Sequence, residues 1–326
     1  MGLTKEVQIT LYTNMVRARR LDQYLVEAFS KQQISGPYFH SQQGQEAVGA
    51  GFCSFLRQDD YLFYTHRGHG LCELIAKGLP VKLLIAEHDC RKTGSCQGIG
   101  YMNTCYPSHG IFGLCGTLGS DGPLAAGTAL AARFNGRGQI TALLSTDGAM
   151  GEGAMHEAML MMANWKLPVV WVIANNGYQM WTPSSVAFPK KDVSDLAFGF
   201  GIPAQVVDGQ DVLAVHTAVD KAVRGARKGK GPSIIECKTK RARSHMEGIP
   251  PYNMDRRFTS DEIAACRQDD PIERFEKLLI NTGVLTQEKM DAIASDAHRE
   301  IMEAEAFARQ SPYPEPDILE TALYAD

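Results

Sequence analysis

The sequence predicts an α/β fold in which a parallel sheet carries helices on both faces and a helical C-terminal extension follows. Three observations lead there. Residues 139–145 (QITALLS) and 169–174 (VVWVIA) are short apolar runs, introduced by the turn signals NGRG and Pro168, and each has the length of a buried strand. Between them GAMHEAMLMMANW, residues 153–165, is long enough for about three helical turns and apolar around most of its circumference, so a buried helix is expected. From about residue 260 the pattern changes to amphipathic helices, DPIERFEKLLINTG and TQEKMDAIASDAHREIMEAEAFARQ, joined at Gly283 with Thr286 as N-cap and followed by the proline-rich SPYPEPDILE. The expected division is an α/β domain over 1–259, N-terminal helices included, and an extension over 260–326.

A strand–helix–strand unit in a parallel sheet crosses over right-handed, and both strands then point the same way. Asp147 follows the first strand, and Asn175 and Asn176 follow the second, so all three emerge at the carboxyl edge, where open α/β sheets bind ligands. A carboxylate, a side-chain amide and backbone carbonyls are hard oxygen ligands suited to Mg²⁺, which completes its shell with water and phosphate oxygens. Each residue also has a plainer reading. Asp147 could cap the following helix, and Asn175-Asn176-Gly177 could be an ordinary turn.

Other segments feed the same edge. DYLFYTHRGHG, residues 60–70, reads as a strand and a loop bearing His66, Arg67 and His69, while GTLGSDGPLAAG, residues 116–127, is a glycine-rich loop entering an alanine-rich helix. Residues 204–248 give a strand, a helix capped by Asp211, a strand at 233–237 and a loop with His245. His156, on the central helix, and the methionines beside it read as structural.

Composition sets the outer limits. With 326 residues, 44% hydrophobic and 21% charged, the chain can bury a sizeable core. Its net charge of -4 is small, and apart from KTKRAR at 238–243 the cations are mixed with acids, which argues against nucleic-acid or membrane-surface binding. No signal-like N-terminus and no run of 18 apolar residues is present, so a cytoplasmic protein is expected. The eight cysteines form no CxxC pair and read as reduced thiols. Cys90, Cys96, Cys105 and Cys115 lie near His88 and His109, either as a thiol-lined loop or as an irregular metal site.

TDG at 146–148 with NN at 175–176 resembles the thiamine diphosphate and Mg²⁺ motif. The likeness extends along nearly the whole chain to the alpha subunit of the decarboxylating component of 2-oxo acid dehydrogenase complexes, including its acetoin-cleaving branch. HSQQGQEA (40–47), HRGHG (66–70), GTLGSDGPLAAG, HEAMLMMANWKLPVVWVIANNGY, VDGQDV (207–212) and GKGPSIIE (229–236) carry it. The resemblance implies a thiamine diphosphate-binding fold with Asp147, Asn176 and the Tyr178 carbonyl on Mg²⁺. It further implies His66 and Arg67 at the diphosphate, Gly148 and Ala149 packed on it, Gly116 and Leu118 at the aminopyrimidine, and His40 and His245 at the reaction centre, His245 also near the phosphate. It implies oxidative decarboxylation of a 2-oxo acid with acyl transfer to a lipoyl arm, or cleavage of acetoin. The activating glutamate would come from a beta subunit in an α2β2 heterotetramer, with a lipoyl acyltransferase as a further partner.

The chain departs from that pattern at several points. Thr146 replaces a glycine before Asp-Gly, His66 replaces an aromatic before the phosphate arginine, GYMN at 100–103 replaces GSMH, and Met246 replaces a serine after the loop histidine. These departures motivate a second reading, a thiamine diphosphate-dependent carboligase or an acyl transferase with a non-lipoyl acceptor. A third reading, a non-catalytic subunit that steadies a partner, predicts loss of Asp147, Asn176 or His245, and all three are present.

Overall fold

The computed structural model of the chain describes residues 3–114, 116–243, 245–247 and 260–322. Its centre is a six-stranded parallel sheet. In chain order the strands are β1 (Tyr61–Phe63), β2 (Ile111–Gly113), β3 (Thr141–Thr146), β4 (Val169–Asn175), β7 (Ala204–Asp208) and β8 (Ser233–Lys238), with the small hairpin strands β5 (Tyr178–Gln179) and β6 (Thr182–Pro183) outside the sheet. Across the sheet the order is β2-β1-β3-β4-β8-β7. From β1 the chain moves to one side for β2 and to the other for β3. The crevice between the carboxyl ends of β1 and β3 is therefore the topological switch point, the place where such sheets bind ligands.

β3 and β4 are buried along their whole length, as expected of parallel strands covered on both faces. Their side chains alternate between two cores. Ala142, Leu144, Val170, Val172 and Ala174 join the larger one with α1 (Lys5–Ser30), α2 (Glu46–Cys53), α3 (Leu71–Ala76), α4 (Val81–His88) and α8 (Val212–Arg227). Leu143, Trp171 and Ile173 join the second, under α5 (Asp121–Asn135) and α6 (Gly153–Asn164). The short α7 (Ser184–Ala187) follows the hairpin.

After residues 248–259, where the expected boundary at 259/260 falls outside the described residues, come α9 (Ser260–Gln268), α10 (Pro271–Asn281), α11 (Gln287–Gln310) and α12 (Ile318–Thr321). Phe275, Leu279 and Ile301 of α10 and α11 share the larger core with Leu11 and Met15 of α1. Tyr12 donates to Glu276 at 2.7 Å, and Arg17 pairs with Glu300 at 2.6 Å. The caps at Asp211 and Thr286 form as the sequence predicts, each side chain accepting from amides in the first turn.

One expectation needs correction. Helix α6 is not buried all round: Met155, Ala158, Met159 and Met162 enter the second core, but Leu160 and Met161 face outward with Trp165 beyond them. An apolar circumference shows only that a helix has no strongly polar face. A helix covering one side of a sheet buries the side that meets the strands and needs another surface for the rest.

Candidate active site

At the end of β3, Asp147 enters a one-turn 3-10 segment, Asp147–Ala149, and is fully buried. It does not cap α6, whose N-cap is Glu152. Its Oδ2 accepts from the Ser184 hydroxyl, while Oδ1 is buried and makes no hydrogen bond among the described residues. Burial pushes its pKa up to about 6, against the opposing pull of Ser184 and the nearby amides of Asn176 and Gly148. A buried carboxylate oxygen without a donor is costly unless a cation meets it.

The two asparagines at the end of β4 have different roles. Asn175 is locked inward, donating to Glu236 on β8 at 2.7 Å and accepting from the Gly177 amide at 3.0 Å, so the turn reading holds for it. Asn176 is half-buried, and its Oδ1 accepts from the Tyr178 amide at 3.2 Å. The hairpin β5–β6 then folds back so that the Ser184 amide reaches the Gly177 carbonyl at 2.8 Å and its hydroxyl reaches Asp147. A cavity of about 560 Å³ opens beside this corner, with Asn176, Tyr178, Ser184 and Lys238 on its wall. The set of carboxylate, amide and carbonyl oxygens around an unmatched buried oxygen fits a hard divalent cation.

Across the switch point, the loop after β1 delivers Arg67. The turn that follows is left-handed at Gly68, His69 and Gly70, with φ of 64°, 49° and 73°. A Cβ on Gly68 would stand 2.4 Å from the Gln42 side chain, and one on Gly70 2.3 Å from the Tyr64 ring, so no larger residue fits without displacing the turn. Buried Arg67 donates through Nη1 to the His245 carbonyl at 2.9 Å and the Ser41 carbonyl at 3.3 Å, and through Nη2 to His245 Nδ1 at 3.0 Å. A guanidinium only donates. Neutral His245 therefore carries its proton on Nε2.

His40, His66 and His245 converge beside Arg67, their candidate ligand atoms all within 4.8 Å of one another. That spacing would admit a transition metal, but two guanidiniums oppose one: Arg67, and Arg241, whose Nη1 lies 3.5 Å from His245 Nδ1. Burial first, then Arg67, lowers His40 to about 2 and His245 to about 3, and both effects also hold His66 well down. Three neutral imidazoles and two fixed cations form a corner that attracts anions.

Buried histidines of this kind make the fold acid-sensitive. His40, His69 and His88 all lie far below the usual 6.5, with burial as the first cause and His88 at about 4. In the unfolded chain they take protons near pH 6.5, in the folded chain only far lower. Between those values the unfolded state binds more protons, so stability falls as pH falls, by about 1.4 kcal/mol per pH unit for each extra proton. Buried Asp22, Asp121 and Asp147, raised to about 6, and Glu73, raised to about 7, act in the opposite sense, so the histidine contribution is read as a difference: denaturant unfolding between about pH 6.5 and pH 5 should lose about one proton of this dependence in His88→Gln. The same pH dependence in parent and variant would contradict it.

The other predicted residues occupy the rim. Gly148 is half-buried, with the Gln179 side chain 3.4 Å from where its Cβ would be, and Ala149 is buried. Gly116 is exposed, and Leu118 is half-buried against the second core. His156 Nε2 donates to the Met150 carbonyl at 2.9 Å, a structural role. Among the described cysteines, Cys90, Cys96 and Cys105 are free, Cys96 Sγ accepts the Cys105 amide at 3.0 Å, and His88 turns away from them, so the thiol-lined loop is the better reading. Cys115 lies outside the described residues.

Three contributors escaped the sequence reading. Arg241 stood in KTKRAR as part of a basic run, yet it joins the corners, donating to the Met180 carbonyl at 3.0 Å on the hairpin side. Ser184 had no signal at all. His88 was noticed only beside cysteines.

Residues 12–317 match the family model described as dehydrogenase E1 component. The chain is 37% identical over 99% of its length to the alpha subunit of an acetoin:2,6-dichlorophenolindophenol oxidoreductase of Cupriavidus necator, covering 95% of that protein. It is 34% identical over 99% of its length to the protein of the same name from Bacillus subtilis, covering 95% of it. It is also 34% identical over 98% of its length to the pyruvate dehydrogenase E1 component subunit alpha of Zymomonas mobilis, covering 89% of it. The chain belongs to the dehydrogenase E1 component family.

Proposed function

We propose that this chain is the alpha subunit of a thiamine diphosphate-dependent dehydrogenase that cleaves acetoin or oxidatively decarboxylates a 2-oxo acid such as pyruvate. The observation that carries the reading is the buried, unmatched oxygen of Asp147 at the switch point, opposite the Arg67 and histidine corner. Asp147, Asn176 and the Tyr178 carbonyl would hold Mg²⁺, and Arg67 with His66 would neutralise the diphosphate. Gly148 and Ala149 would pack on that diphosphate, and Gly116 and Leu118 would meet the aminopyrimidine at the rim. Bound there, thiamine diphosphate supplies a nucleophilic carbon and an electron sink for the 2-oxo or hydroxyketone carbon. The residues of this chain bind and neutralise, and His40 and His245 manage protons, with neutral His245 offering an Nε2–H as donor.

A partner follows from the same reading. Leu124 on α5 and Leu160, Met161 and Trp165 at α6 are exposed apolar groups over the second core, a surface suited to a beta chain. That chain would also supply the activating glutamate. Glu46 is buried against Arg19 at 2.9 Å, and Glu152 and Glu157 are exposed. We assign the assembly as an α2β2 heterotetramer, with a lipoyl acyltransferase as acyl acceptor. No helix among the described residues is long and apolar enough to cross a membrane, in keeping with a cytoplasmic site.

The test is co-expression with the candidate beta chain and a screen of acetoin, pyruvate and longer 2-oxo acids with an artificial electron acceptor and with lipoyl domains. Turnover of one class by the pair and none by the isolated chain is expected. Full activity from this chain alone would overturn the partner assignment, and carbon–carbon bond formation without electron transfer would favour a carboligase.

A further inference from the structure

Behind His40 the histidines continue into the interior. His40 Nδ1 stands 3.2 Å from His69 Nε2, His69 Nδ1 stands 2.9 Å from His88 Nε2, and His88 Nδ1 stands 2.8 Å from the Leu84 carbonyl. His69 and His88 stack with ring centroids 5.1 Å apart, and both are fully buried. The direction of every bond in this series is set from its inner end. A carbonyl can only accept, so His88 Nδ1 carries a proton and its Nε2 accepts. His69 therefore carries its proton on Nδ1, donated to that bare nitrogen at 2.9 Å, and its own Nε2 is bare; the His40 backbone N–H points at it from 3.3 Å, in the same sense but too far to hold the tautomer alone.

We propose that His88, acting through His69, fixes His40 as the tautomer protonated on Nδ1 and so presents the bare Nε2 of His40 to the reaction centre as a hydrogen-bond acceptor. His88 and His69 are positioning residues. The series does not conduct protons, because it ends on a helix carbonyl that cannot take one. Nε2 accepts the hydrogen bond of a substrate hydroxyl and so orients it, while the Nδ1–H remains donated to His69. His40 then complements His245, whose Nε2–H is set in the opposite sense by Arg67.

A feature of this chain's own sequence seals the arrangement. Tyr101, in the GYMN segment, lies edge-on to both buried rings, 5.4 Å from His69 and 5.7 Å from His88, and accepts the Tyr38 amide at 3.1 Å. Glu87 holds that segment in place by accepting from the amides of Cys96, Gly98, Gly100 and Tyr101 at 2.7–3.1 Å. The departure at 100–103 and the histidine at 88 thus form one unit, which keeps water from competing for the imidazole nitrogens.

The inference rests on the proposed function only for the place of His40 beside the substrate. Its test is ¹⁵N solid-state NMR of the alpha chain labelled at histidine and assembled with its partner, with His40 assigned by loss of its signals in His40→Gln. His40, His69 and His88 should each show a protonated Nδ1 and a bare Nε2. In His88→Phe the His40 signals should split between tautomers, and kcat should fall roughly 10–100-fold while KM and cofactor affinity stay within about twofold. In His88→Gln the new amide oxygen can accept from His69 Nδ1, and both the spectrum and kcat should recover. An Nε2-protonated His40 in the parent overturns the inference, whatever the variants do. So does a His88→Phe protein with an unchanged unfolding midpoint, one tautomer of His40 and parental kcat. A parent complex that shows the expected tautomers but turns over no acetoin or 2-oxo acid sinks the functional reading and leaves the inference standing on the spectra.

Discussion

Asp147→Ala is expected to abolish Mg²⁺-dependent binding of thiamine diphosphate, weakening it by more than roughly 100-fold, because a cation held by few protein oxygens cannot replace its only carboxylate. Asp147→Asn separates charge from shape and should lose nearly as much. Neither variant should unfold at a lower temperature than the parent when metal and cofactor are absent. The carboxylate is buried with one oxygen unmatched and its pKa is raised to about 6 by that burial, so near neutral pH it destabilises the empty fold. Ligand should then stabilise the parent by about 2.7 kcal/mol at 100 times Kd and stabilise the variants hardly at all. Calorimetric titration and thermal unfolding with and without Mg²⁺ would show both effects. Unchanged cofactor affinity in Asp147→Ala would remove Asp147 from the site.

His245→Ala should lower kcat of the assembled enzyme by about 10²- to 10⁴-fold, the usual contribution of a positioned acid or base. Cofactor affinity should change little. The Arg67 guanidinium loses its contact to Nδ1, but its bonds to the Ser41 and His245 carbonyls do not depend on the imidazole. The separation of kcat from binding is the useful part of the result, since a residue that only held Arg67 would move both. Near-normal turnover in the purified variant would exclude a role for His245 in proton transfer.

The parts of the molecule legible in the sequence were those set by local periodicity. The strand–helix–strand unit from 139 to 175 appeared with its elements in place, β3 beginning at Thr141 rather than 139, and its geometry alone brought Asp147 and Asn176 to one edge. Caps at Asp211 and Thr286 were equally local. What stayed hidden depends on segments meeting from far apart. Two adjacent asparagines look alike in a sequence, and only the bond from Asn175 to Glu236, 61 residues away, shows that one is structural and leaves the other for a ligand. Strand β2 is three residues long, too short to give a pattern. Arg241 and Ser184 reach the site because a hairpin folds back between them, and His88 reaches it through a second histidine 19 residues earlier. The outward side of α6 misled for a related reason, because apolar residues on an exposed helix face cannot be told from core residues by pattern alone.

The central claim is that the carboxyl edge between β1 and β3 holds a metal diphosphate with Asp147 as its metal ligand. The most direct measurement is anomalous diffraction from crystals of the assembled alpha and beta chains grown with thiamine diphosphate and with Mn²⁺ in place of Mg²⁺. The account predicts a single strong peak per alpha chain at about 2.1 Å from Asp147 Oδ1, Asn176 Oδ1 and the Tyr178 carbonyl, with diphosphate oxygens completing the shell toward Arg67. A peak among His40, His66 and His245 instead, or ordered cofactor with no metal at Asp147, would contradict it.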